Sequence, residues 1–95
     1  MTVVPFSSAR FTPADLAEFG EIADQRLRDG RWASCTRRTE PHADSILIQL
    51  PGVMDSSFTF VRDRSGHYAL FFHDVTGTHH VSTGDSVRAC LYLWR

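Results

Sequence analysis

After Gly30 the hydrophobic period of this chain changes from that of a helix to that of a strand and does not change back. This restricts the fold to one helix set against an antiparallel sheet. The helix start is explicit: Thr12 caps, Pro13 sits where a first-turn residue needs no N–H, and Asp15 returns a bond to the cap and complements the helix dipole. Leu16, Phe19, Ala23 and Leu27 form a stripe with Ile22 at its edge, while Asp24, Gln25 and Arg28 fall elsewhere on the helix. Gly30 supplies a left-handed stop. The spacing predicts a helix over 13–29.

Beyond it, alternation broken by Pro and Gly predicts strands near 32–38, 45–50, 57–63, 67–75 and 87–94, with a short additional strand at 79–83. Pro51-Gly52 and Asp63-Arg64-Ser65-Gly66 mark turns, the latter a hairpin closed by a left-handed glycine. The expected class is α+β: one N-terminal helix packed on a four- to five-stranded antiparallel meander. A chain of 95 residues suits a single domain over 1–95, with an apolar lead at 1–11 (Val3, Val4, Phe6, Phe11), the helix at 13–29 and the sheet over 32–94.

Counting by twos sorts the sheet into two faces. Ile46, Ile48, Leu50, Phe58, Phe60, Tyr68, Leu70, Phe72, Ala89, Leu91 and Leu93 make the core face, under the helix. The opposite face carries Leu47, Gln49, Thr59, Val61, His67, Ala69, Phe71, His73, Arg88, Cys90, Tyr92 and Trp94. The run from Val87 to Trp94 reads as apolar on both sides, which asks for cover above and below, and one helix covers one face. Three coverings fit: the chain itself, by residues 1–11 folded back or by the sheet curled into a partial barrel; a second copy; or a different protein or small ligand. The mixture of aromatic, aliphatic, Arg and His groups resembles protein interfaces. The sequence therefore implies a contact surface of Leu47, Val61, Phe71, Tyr92 and Trp94, with Arg88 and His73 as polar handles, on a homodimer or an accessory subunit.

Other functions are less well supplied. Ten basic and eleven acidic residues nearly cancel, leaving no net pull toward nucleic acid or an anionic membrane. Every basic residue is Arg, so Schiff-base chemistry and a phosphate-loop lysine are excluded; with Asn absent as well, this reads as codon bias. Cys35 and Cys90 stand far apart and read as reduced, buried thiols. With no basic, apolar leader and no membrane-length apolar run, the expectation is a cytoplasmic protein. No cofactor fingerprint or catalytic signature is present. The nearest approach to an enzyme or small-ligand site is a Cys90/His73 pair on the second face. With Thr76-Gly77 as the hairpin turn, His73 would oppose His80 and Asp74 would oppose His79, too few convergent ligands for a metal. Aromatics at Phe58, Phe60 and 68–72 beside Arg62 suggest base stacking, but Phe58 and Phe60 belong to the core face.

Overall fold

Thr12 opens the first element as its spacing implies, and the computed structural model of the chain describes residues 10–40, 43–52, 56–62 and 66–92 (of Glu40, Ala43 and Tyr92, the backbone only). The element order is α1(Pro13–Arg28), β1(Ser34–Glu40), β2(Ala43–Gln49), β3(Ser57–Arg62), β4(Tyr68–Asp74), β5(Gly77–Gly84) and α2(Val87–Tyr92). The five strands lie side by side in sequence order, each antiparallel to the next. This is the α+β meander that the change of period requires.

At the start of α1 a complete capping box forms: the Asp15 N–H donates to the Thr12 hydroxyl at 3.0 Å, and the Thr12 N–H donates to the Asp15 carboxylate at 2.9 Å. Gly30 adopts φ +76° just past the helix, where a side chain would strain the backbone. Phe19 and Ala23 are buried, while Leu16 and Ile22 pack against the core from its edge. Leu27, expected in the stripe, is 39% exposed. It lies in the last turn, beyond the sheet's cover, where Trp32 closes the core instead.

Ile46, Ile48, Phe58, Phe60, Tyr68 and Leu70 all point into the core as period-two counting assigns them. Phe60 is the centre of this layer. Its ring stacks on Phe11 at 5.5 Å, Phe19 at 5.6 Å and Tyr68 at 5.8 Å, joining the N-terminal segment, α1 and the sheet.

The C-terminal segment departs from the sequence reading. Residues 87–92 form a helix, and the fifth strand is Gly77–Gly84, longer than the short strand expected at 79–83. Val87, Cys90 and Leu91 are buried while Arg88 and Ala89 are exposed, the i, i+3, i+4 spacing of one helix face. An apolar run serves a two-faced strand and a short buried helix alike, and here Ser86 decides. Its hydroxyl accepts from the Ala89 N–H at 3.1 Å and its carbonyl from the Cys90 N–H at 3.1 Å, so the chain turns as it leaves Gly84-Asp85. Ala89, assigned to the core face of a strand, therefore points outward, and Leu93 lies outside the described residues. α2 joins α1 in the layer over the core face, tied by Arg88 to Glu21 at 2.8 Å and to Glu18.

The β4–β5 turn is also displaced. Asp74 pairs with Gly77 across Val75-Thr76, so His73 opposes Thr78 and His80 opposes Phe71, rather than His73 opposing His80. A bulge at Val81, between the pairs Leu70–Ser82 and Phe71–His80, restores the alternation needed to bury Ser82.

Candidate functional site

Strand register arranges the face away from both helices into three cross-strand rows. Thr36, Leu47, Thr59, Phe71 and His80 form the middle row, from β1 to β5. Arg38, Ser45, Val61, Ala69 and Thr83 lie on one side of it, and Ser34, Gln49, Ser57, His73 and Thr78 on the other. Leu47, Val61, Ala69 and Phe71 are neighbours at the centre and half-buried, each partly screened by the hydroxyls around it. No described residue packs over them. The result is a small apolar centre within a rim of Ser, Thr, His, Gln and Arg.

His73 is fixed within this rim. Its Nε2 lies 2.7 Å from the Thr59 hydroxyl and its Nδ1 2.9 Å from that of Thr78, so the ring bridges β3, β4 and β5. Each hydroxyl can donate or accept, and both imidazole nitrogens are engaged in either tautomer. His80 lies edge-on to Phe71 at 5.5 Å and bonds to Thr83. At the β1–β2 end a shallow depression of about 320 Å³ is lined by Thr36, Arg37, Arg38, Ser45, Leu47 and Thr59.

Of the residues expected at the contact, Leu47, Val61, Phe71 and His73 share this face. Arg88 does not: it lies on α2, held by Glu18 and Glu21. Tyr92 ends α2 in the helix layer, with its side chain outside the described set, and Trp94 also lies outside the described residues. Among the described residues the apolar surface left uncovered is therefore smaller than the sequence implied, because Val87, Cys90 and Leu91 are buried on the helix side.

The Cys90/His73 pair does not form. Cys90 is fully buried on the helix side, its thiol 3.4 Å from the Ser82 hydroxyl, with the sheet between it and His73. Burial pushes the Cys90 thiol up, against a smaller opposing effect of the Ser82 hydrogen bond, and burial pushes Cys35 up to about 11. Neither supplies a ready thiolate. Asp74 and His79 meet at 3.2 Å in the hairpin, but among the described residues no three His, Cys, Asp or Glu side chains converge as metal ligands.

Two acidic centres went unread in the sequence. Asp15, besides capping, accepts from Tyr68 Oη at 2.5 Å and from Arg62 Nη1 at 2.9 Å, fastening α1 to β3 and β4. Asp44, 0% exposed, accepts from the Phe11 N–H at 3.0 Å, Thr39 Oγ1 at 3.1 Å and the Arg37 guanidinium. Burial pushes both carboxyls up, but these hydrogen bonds and the neighbouring Arg charges outweigh it and hold them below the ordinary value. The burial of Tyr68, with its bond to Asp15, pushes its hydroxyl up to about 12. The signal was available: Asp44 precedes Ile46 by two residues and Arg62 follows Phe60 by two, so alternation places both on the core face. These centres hold the fold from the helix side of the sheet, and among the described residues none covers the opposite face.

Comparison with known protein families, curated proteins and solved structures found no match. Among the described residues, no helix is long and apolar enough to cross a membrane.

Proposed function

We propose that this chain works by protein contact through the sheet face that neither helix covers, as a homodimer or an accessory subunit, without catalysis, cofactor or metal. One observation carries the reading: Leu47, Val61, Ala69 and Phe71 are contiguous and partly wet on a face that no described element covers. An apolar centre ringed by hydroxyls, amide and imidazole groups has the anatomy of an interface, where desolvated anchors are enclosed by polar neighbours. Near-zero net charge gives nucleic acid and membrane no part in it. Free thiols at Cys35 and Cys90 suit a reducing compartment, and a cytoplasmic location belongs to the same proposal.

The substitution Phe71→Arg tests the reading by chemical denaturation. A half-exposed ring on an open face can be replaced by a long cation whose head reaches water, so the expected loss of stability is within about 1 kcal/mol. A loss comparable with that of a core phenylalanine would mean that the face is interior to the fold, and the proposal would fail.

A further inference from the structure

The four central residues of the open face are arranged about its middle strand in a way that matches a particular partner. Leu47 lies on β2 and Phe71 on β4, both in the middle row and one strand to either side of Thr59. Val61 lies on β3 itself, with Ser45 and Ala69 flanking it in the next row. A twofold axis running along β3 between two stacked copies keeps each row and exchanges β2 with β4. It places Leu47 of each copy on Phe71 of the other, Val61 on Val61 and Ala69 on Ser45. An axis across the strands along the middle row would instead set Val61 against Ser57, leaving a buried hydroxyl facing a methyl surface. With five strands there is a central strand for the axis to follow. We infer that the open face pairs with a second copy of this chain about a twofold axis along β3, with Leu47 and Phe71 as reciprocal anchors.

This rests on the contact reading above and specifies its partner. Charge permits the pairing. Arg38 is the one Arg, Asp or Glu among the described side chains that the register assigns to this face, and the exchange sets it over Thr83 of the other copy, not over a second Arg38. Five strands about 4.8 Å apart and about 20 Å long present roughly 500 Å² per copy. That is close to the lower limit for a specific interface, so the dimer is weak and forms with rising concentration.

Sedimentation equilibrium from micromolar to near-millimolar chain tests the axis with paired charges. Leu47→Glu and Phe71→Arg each break both reciprocal contacts of a homodimer, and each is expected to weaken self-association at least about tenfold. Mixed together, they are expected to associate again, because one anchor pair becomes Glu with Arg while the other remains the original Leu with Phe. Circular dichroism checks each fold. If Phe71→Arg does not fold, Ala69→Arg with Ser45→Glu replaces the pair, since the same axis sets those positions opposite.

A wild-type chain that stays monomeric throughout overturns the second-copy inference, whereas exposure of the face is judged separately by denaturation of Phe71→Arg. Dimers that survive both single variants place self-association on another surface and overturn it too. Single variants that are monomeric and do not recover on mixing leave the face as the contact but remove the axis along β3.

Discussion

Phe60→Ala is expected to cost about 3–5 kcal/mol, measured by denaturant unfolding against the wild type. The ring is 0% exposed and stacks on three others, from the N-terminal segment, α1 and β4. Its removal leaves a cavity whose walls belong to separate elements, each fixed elsewhere. α1 is fastened by Asp15, and Phe11 is held by its N–H bond to Asp44, so the void collapses poorly. For a domain of this size such a loss is a large share of total stability. A cost below about 1 kcal/mol would mean that the aromatic layer is not the core of the fold.

Asp15→Ala is expected to cost about 2–4 kcal/mol at neutral pH, because one carboxylate completes the cap of α1, accepts from the buried Tyr68 hydroxyl and neutralises Arg62. Without it, the Tyr68 hydroxyl loses its acceptor, and Arg62, its side chain 15% exposed, loses its carboxylate and is left with the Arg10 carbonyl. The pH dependence has a defined sign. A carboxyl held below its ordinary value contributes stability that is present above the unfolded value, near 3.9, and is lost as pH falls through the folded one. The difference between wild type and variant is therefore expected to be flat near neutrality and to shrink as the solution is acidified below about pH 4. A difference that does not change with pH would remove the ionised carboxylate from the account. Asp44, shifted in the same direction, adds its own acid sensitivity to both proteins.

What was legible in this chain follows from how many physical signals each element carried. α1 had a cap, a proline, a stripe and a glycine stop, and it forms over Pro13–Arg28. The inward sides of β2, β3 and β4 were equally plain, since alternating large apolar residues admit one register against a core. The last segment had only an apolar run, and without a periodic contrast a two-faced strand and a short helix read alike. Ser86, two residues beyond Gly84, was the deciding signal. The hairpin before it was misplaced because Thr76-Gly77 resembles a turn, while the chain instead uses Val75-Thr76 and pairs Gly77 with Asp74.

These two misreadings shaped the expected contact surface. Reading 87–94 as a strand put Arg88, Cys90, Tyr92 and Trp94 on the face away from α1. In the fold, α2 takes Arg88 to the glutamates of α1 and Cys90 into the core. Leu47, Val61, Phe71 and His73 were found because they sit on strands whose other face is unambiguous. The hydroxyls that hold His73 needed the register across the β4–β5 turn, which sequence alone did not supply.

Under the proposed contact function, the face of Leu47, Val61 and Phe71 meets solvent in the lone chain and a second protein in the assembled one. Methyl NMR of a dilute sample with a soluble paramagnetic probe measures this directly. The Leu47 and Val61 methyls are expected to broaden strongly while those of Ile46, Ile48, Leu70 and Leu91 remain sharp, and the first two are expected to regain protection as concentration rises. Protection of Leu47 and Val61 equal to that of Ile48 in the dilute chain would contradict the account, because the face would then lie inside the fold.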